Sequence, residues 1–339
     1  MIDLLVAGGG PAGLVTALHA ARAGLRTAVI EPRTAPIDKA CGEGLMPHAV
    51  AALRDLDLCP DGVQLRGIRY LQDGDQAMAP FRHGAGLGVR RTELHRVLHE
   101  AAIAAGVQVL ADRVGELRWH GDSVTAAGIR ARYLVAADGL HSGLRRRLGY
   151  PAPPSSVPRR WGIRAHYRVR PWSDLVEVYW TPRGEAYVTP VADDCVGVAI
   201  LGTERSAFAE RISGFPELAA RLGHADAGRV RAAGPLRQDV RRRVHGRVLL
   251  VGDAAGYLDA LTGEGLALAF DCAQALVRRV VEDRPARYEH DYLTLSRRYR
   301  MITSSLLWAA RHPPLRRRIV PAAAHAPWLF RTAVAQLAR

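Results

Sequence analysis

A short apolar run, Ile2 to Ala7, breaks at Gly8-Gly9-Gly10-Pro11-Ala12-Gly13 and resumes as the helix-like stretch Leu14 to Ala23. Gly24 stops that stretch, and Arg26 to Glu31 reads as a second buried strand. Two parallel strands need a crossover between them, so the opening of the chain is a β-α-β unit. Each glycine then has a task. Gly8 permits the sharp turn, Gly10 lets the backbone approach a pyrophosphate, and Gly13 lets helix and strand pack closely. The helix opening at Pro11 and Ala12 turns free N–H groups and a partial positive charge toward a phosphate. Glu31, at the end of the second strand, is placed to accept hydrogen bonds from a ribose. The unit is a dinucleotide-binding turn of Rossmann type.

Two later strand ends carry related chemistry. Val135-Ala136-Ala137-Asp138-Gly139 leads into a basic helix that Ser142 can cap, and Asp138 is either a cofactor ligand or part of an ordinary strand-to-helix turn. Arg247 to Val251 runs into Gly252-Asp253-Ala254-Ala255-Gly256, followed by Thr262-Gly263-Glu264-Gly265 and a helix to Val281. Asp253 can bind sugar-like hydroxyls. The helix that starts near Gly265 aims its positive end at whatever precedes it, which favours negative charge there.

Together the three stretches resemble the fingerprints of the flavoprotein superfamily of aromatic hydroxylases (the para-hydroxybenzoate hydroxylase type) and geranylgeranyl reductases, over roughly residues 1–285. The resemblance implies an α/β fold: a Rossmann-type, glutathione-reductase-like FAD-binding domain in three ββα layers, an inserted antiparallel-sheet substrate domain and a helical C-terminus. It implies FAD, with its ADP half on Gly8, Gly10, Pro11, Ala12, Gly13 and Glu31, and its ribitol at Asp253. It extends the cofactor surface to Arg33, Gly42, Arg91, Asp138, Gly252, Gly263, Glu264 and Gly265. Arg91 in Arg91-Thr92-Glu93-Leu94 matches a family arginine that contacts FAD, and reads equally as a solvated helix-start residue. Hydroxylases often carry a histidine where this chain has Gly256. Gly256, Gly263-Glu264-Gly265 and Lys39-Ala40-Cys41-Gly42-Glu43-Gly44-Leu45 stand closer to geranylgeranyl reductases. The Trp-x-Trp-x-Ile-Pro signature of similar halogenases is absent.

The leading expectation is a monooxygenase using NADPH or NADH and O2 on a small lipophilic or aromatic, polyketide-like molecule of secondary metabolism. The alternative is reduction of C=C bonds in an isoprenoid or lipid. Cys41 and Glu43 are assigned to the substrate pocket, Cys41 either shaping it or packing under the cofactor and Glu43 handling a proton. Tyr179 and Tyr187 are read as pocket residues, with core packing as the competing assignment.

Segment texture suggests residues 1–61, 85–150 and 241–285 as the FAD-binding domain, 62–84 and 151–240 as the substrate-side sheet, and 286–339 as C-terminal helices. The proline-rich stretch Pro151 to Pro158 is the clearest break.

Lys+Arg is 47 against 33 Asp+Glu, a net charge of +14, and Lys39 is the only lysine. Triplets at Arg145, Arg241 and Arg316 read either as a docking surface for anions or as a solvated face. No nucleic-acid signature accompanies them, so no nucleic acid is expected. The arginine-rich end, Tyr299 to Arg318, with Leu306, Leu307 and Trp308 interleaved, suggests peripheral contact with an anionic membrane. Four scattered cysteines, no CxxC pair and no clustered histidines argue against a metal site. The absence of a signal peptide and of a long apolar run points to the cytoplasm.

Overall fold

In the computed structural model, residues 1–150 and 158–337 are described. Most of the proline-rich break at 151–158 lies outside them. The apolar runs read from the sequence become one eight-stranded sheet. Strand Ile2–Ala7 lies at its centre, paired in parallel with Thr27–Ile30 (Val6 beside Val29) and with Ile129–Ala136 (Val6 beside Val135). Val248–Leu250 adds to the far side of Ile129–Ala136, and Gln108–Leu110 to the far side of Thr27–Ile30, both in parallel. Leu117–Trp119 and Val124–Ala126 leave the parallel order and form an antiparallel meander hung on Ile129–Ala136.

The central strands read as unbroken apolar runs because both of their faces are covered. Helices Pro11–Arg22, Arg91–Ala104 and Gly265–Val281 pack together, and Leu14, Val15, Leu94, Leu98, Phe270 and Leu276 from them join the strands in one core.

The second sheet has seven strands, in the order Arg231–Ala233, Trp161–Tyr167, Cys195–Gly202, Gly184–Ala192, Leu175–Thr181, Gly67–Gln72 and Asp75–Pro80. The strands between Trp161 and Gly202 pair antiparallel, as the sequence suggested, and the parallel pairing is the one that joins them to the earlier hairpin. Leu175–Thr181 pairs in parallel with Gly67–Gln72, Val178 beside Tyr70. The hairpin Gly67–Pro80 comes from a separate, earlier excursion of the chain, so direction is set by where the chain re-enters and not by a hairpin turn. The hairpin's own corner is Asp73-Gly74, both with positive φ (50° and 89°), the geometry of a tight two-residue turn. A three-stranded patch of Gly44–Leu45, Gly86–Gly88 and Val63–Leu65 joins the two layers.

Between the sheet strands lie two short helices, Phe208–Ile212 and Pro216–Leu222, kept apart because Gly214 and Pro216 interrupt the backbone ladder. The C-terminal part is the 25-residue helix Arg287–Arg311 followed by short helices Pro313–Arg316, Ile319–His325 and Pro327–Leu337. Proline opens two of these, where its missing N–H costs nothing.

Strand pleat decides the fate of the aromatic residues. On Leu175–Thr181, Val176 and Val178 face the interlayer cleft, while Leu175, Glu177 and Tyr179 face away. Tyr179 is 4% exposed, packs with Val188, Val198 and Phe208, and its hydroxyl donates to Glu177 Oε2 at 2.7 Å. It is therefore a core residue and not a pocket residue. Tyr179→Phe should lower stability by about 1 kcal/mol through loss of that hydrogen bond and leave flavin content and turnover unchanged, as read by denaturant melts and absorbance.

Candidate functional site

The site begins where three strands end side by side. Gly8 has φ +111°, and a Cβ there would sit 2.4 Å from the Ala137 carbonyl oxygen. A Cβ on Gly13 would sit 1.9 Å from the Gly8 carbonyl oxygen, so the helix lies against the turn with no room for a side chain. No atom of the described residues lies within 4 Å of where a Cβ on Gly10 would sit. The helix starting at Pro11 has no side-chain cap. Two glycines are thus filled by the protein itself, and the third faces open space.

Glu31 stands behind this turn. The Gly9 N–H donates to its Oε2 at 2.9 Å, and Arg33 donates to Oε1 from Nε at 2.8 Å and from its backbone at 3.0 Å. Burial opposes the charge of Glu31, but these donors outweigh it and hold the carboxyl below its usual range. His95 Nε2–H donates to the Gly9 carbonyl at 2.9 Å. Burial, with Arg91 nearby, pushes the His95 pKa down to about 4, so the ring is a neutral donor.

Arg91 opens the helix Arg91–Ala104 with its side chain buried, and its Nη1 has no partner among the described residues. A buried guanidinium with an unmatched N–H is a poor structural element and a good anion receptor. Across the cleft, Asp138 Oδ2 accepts from the Leu144 N–H at 3.0 Å, and Ser142 Oγ caps the same helix through the Arg145 N–H at 2.9 Å. Lys39 Nζ lies 3.6 Å from Asp253 Oδ2.

The second glycine loop touches the first. Gly252, with φ +61°, would place a Cβ 2.7 Å from the Cβ of Ala12. Helix Gly265–Val281 then starts without a side-chain cap. Glu264, just before it, is partly buried with Oε2 unpartnered, and burial pushes its carboxyl up to about 8. A cleft of about 420 Å³ connects these parts. Its cofactor-side wall includes Gly10, Pro11, Ala12, Arg33, Gly42, Arg91, Asp138, Gly252, Asp253, Gly263 and Gly265. Gly8, Gly13, Glu31 and Glu264 are absent from the lining.

The opposite wall is the second sheet. Ile68, Tyr70, Val176, Val178, Tyr187, Ala199 and Leu201 give it an apolar surface, and Leu236, Leu261 and Val334 extend it. Tyr187 donates its hydroxyl to the Leu261 carbonyl at 2.9 Å, tying the sheet to the second glycine loop. Cys41 and Glu43 lie between the walls. Burial pushes the Cys41 thiol up, so it is no thiolate nucleophile.

Glu43 is the most constrained residue of the site. It is a non-glycine residue at φ 60°, and its buried carboxylate accepts from the Arg91 backbone N–H at 2.8 Å and from His166 Nε2 at 2.6 Å. Arg164 Nη1 bonds His166 Nδ1 at 3.1 Å, which leaves Nε2 as the donor to Glu43. Arg164 also binds Asp38, as does Arg231. Arg164 and His166 line a second recess, which opens beside Arg90, Arg168 and Arg229. A hydrogen-bonded chain therefore runs from the cleft to this basic recess. Sequence reasoning missed His95, Arg164 and His166, and with them Tyr70 and Tyr257, both of which line the cleft. His95 sits one turn after Arg91 on the buried helix face beside Leu94 and Leu98, a weak signal. The others depend on which face of a strand or loop meets the cleft.

A family model described as the FAD-binding domain matches residues 1–282. The chain belongs to this FAD-dependent oxidoreductase family. Menaquinone reductase of Mycobacterium tuberculosis is 31% identical over 297 residues, covering 78% of this chain and 72% of that protein. Digeranylgeranylglycerophospholipid reductase 1 of Methanopyrus kandleri is 30% identical over 320 residues, covering 83% and 80%. Among solved structures, the flavin-dependent brominase Bmp2 superposes with a TM-score of 0.85 at 19% identity, covering 99% of this chain and 93% of that one. The Diels-Alderase PyrE3 gives 0.78 at 22%, covering 99% and 80%. At such identities the structural likeness shows the fold.

The residues present fit the cofactor of this flavoenzyme. The open space at Gly10, the uncapped helix ends at Pro11 and Gly265 and the unmatched N–H of Arg91 form a receptor for a pyrophosphate-bridged dinucleotide. Glu31 and Asp253 would take the sugar-like hydroxyls at either end. Gly10→Val should leave the apoprotein's melting temperature nearly unchanged, since no protein atom opposes the new side chain, and abolish flavin retention. Arg91→Met should weaken FAD binding roughly 10- to 100-fold, the value of a hydrogen-bonded charge. Flavin titration by fluorescence measures both, and unchanged affinity in either would displace the pyrophosphate from this turn.

Proposed function

We propose that this flavoenzyme is an NAD(P)H-dependent monooxygenase that hydroxylates a lipophilic aromatic or polyketide-like molecule. The observation that carries the reading is Glu43: a buried carboxylate in a largely apolar cleft, joined through His166 to a basic recess. Electrophilic oxygen attacks an electron-rich ring, and removal of a phenolic proton enriches it. Such a step needs a positioned acceptor at the ring.

Bound FAD would supply the redox chemistry, taking electrons from a nicotinamide and activating O2. The protein's own residues do the rest. Ile68, Val176, Val178, Ala199 and Leu201 exclude water and hold an apolar body against the cofactor wall. Tyr187 fixes the loop before Gly263 through Leu261. His166, itself held by a hydrogen bond from Arg164, donates to Glu43 and fixes that carboxylate as the proton acceptor.

A second reading, C=C reduction in an isoprenoid or lipid, is favoured by the names of the relatives that match most of this chain, menaquinone reductase and digeranylgeranylglycerophospholipid reductase. In that case Cys41, kept protonated by burial, is the nearest thiol to deliver a proton in the cleft. The two readings separate on oxygen. With alkylphenols and polyprenyl quinones as probes, the hydroxylase incorporates label from isotopic O2 and stops in its absence after flavin reduction. A product that gains two hydrogens under argon would replace the first reading by the second. Glu43→Gln should cut turnover at least about 100-fold and leave the rate of flavin reduction by NAD(P)H intact.

A further inference from the structure

The C-terminal helices have two faces of opposite kind. Their inner face is part of the cleft's structure. Leu307, Ala310, Val320, Phe330 and Val334 join a core with Met46, Ile68, Tyr70, Val176 and Val178, and Val334 reaches the cleft itself. Their outer face leaves large apolar side chains in solvent: Trp328 is 67% exposed, Met301 63%, Trp308 58% and Leu329 53%. Met301 and Trp308 are seven residues apart on one helix and so share a face. Leu306 and Leu307, which the sequence placed beside Trp308 in the same role, turn inward.

Charge on this part of the chain is of one sign. After Asp291 there is no Asp or Glu through Leu337, while Arg297, Arg311, Arg317, Arg318 and Arg331 are exposed. Elsewhere part of the exposed arginine is matched by carboxylates, as Arg22 is by Asp57 and Arg183 by Glu204, whereas here the segment offers none. Exposed tryptophan beside arginine that has no carboxylate partner among the described residues is the chemistry of an interface that is apolar at depth and anionic at its rim. A second copy of this face would set arginine against arginine, so self-association does not fit the charge.

We propose that the outer face of residues 292–337 docks on an anionic phospholipid surface. Trp308, Trp328 and Leu329 enter the headgroup boundary, and the arginines contact lipid phosphates. The last of these helices, Pro327–Leu337, carries both Trp328 on the docking face and Val334 in the cleft lining, so a lipophilic substrate would reach the site from the membrane side. This docking is independent of whether the reaction is hydroxylation or reduction.

The test uses the full-length, FAD-loaded protein in vesicle flotation, with phosphatidylcholine alone and with phosphatidylcholine mixed with phosphatidylglycerol. Binding should be at least about tenfold stronger on the anionic vesicles, should weaken as salt rises, and should shift tryptophan emission to the blue. The pair Trp308→Ser and Trp328→Ser, and separately Arg317→Glu with Arg318→Glu, should each lose at least about tenfold in binding. Both should keep the flavin spectrum, the melting temperature and the rate of flavin reduction by NAD(P)H in solution. Equal affinity for neutral vesicles, binding to neither, or undiminished binding in the double tryptophan variant would overturn the proposal. A dimer in light scattering that disappears with Trp328→Ser would instead assign the face to a second copy.

Discussion

The site depends on two contacts that leave no room for a side chain. One sets Gly13 against the Gly8 carbonyl, and the other sets Gly252 against Ala12. The first brings the helix of the opening unit down on its own turn, so that its free N–H groups are fixed in direction. The second brings a loop from more than two hundred residues later onto that same helix start. Since interiors pack at crystal-like density, a methyl group at Gly8, Gly13 or Gly252 would have to move backbone or helix. The shape of the cleft is therefore set by close approach, while its chemistry is carried by side chains farther out.

Those side chains include an unusual density of buried charge between the layers. Glu43, His166, Arg164, Asp38 and Arg231 join the cofactor side to one end of the second sheet. Toward the other end, Glu185 binds Arg160 at 2.5 Å and Arg316 at 2.7 Å, with Arg160 also 3.0 Å from Asp259. Burial pushes Asp259 up to about 6, and that raised value means its favourable contribution fades as pH rises through it. Buried ion pairs add little net stability over apolar packing, but removing one partner is costly. They tie the segments that carry Asp38, Glu43 and Asp259 to the second sheet and its edge. The positive φ of Glu43 is consistent with a residue held by its partners and not by its backbone preference.

What could be read from the sequence was what is local. The glycine turns, the strand-to-helix corners and the helix Gly265–Val281 are each specified by residues adjacent in the chain. Cofactor-side residues follow because they sit at strand ends. The substrate side was harder. Tyr179 and Tyr187 look alike in sequence, and only the pairing register of their strands sends one to the core and the other to the cleft. The parallel pairing of Leu175–Thr181 with Gly67–Gln72 is a property of chain routing that no short window contains. His166 is an unremarkable polar residue in a strand until Glu43 is placed opposite it.

Arginine use shows the same division between local pattern and tertiary role. In each triplet one member is drawn inside. Arg145 donates to Gln238 and to the Leu140 carbonyl; Arg243 pairs with Glu289 over the Tyr292 ring; Arg316 pairs with Glu185 over Trp180. The other two members of each stay exposed. A guanidinium can stack on an aromatic face while donating in its own plane, and a lysine ammonium cannot. The triplets are therefore neither purely solvated nor purely docking surfaces. Each places one arginine in the fold and leaves two at the surface, and those of the last triplet lie in a stretch, from Tyr292 to Leu337, without Asp or Glu.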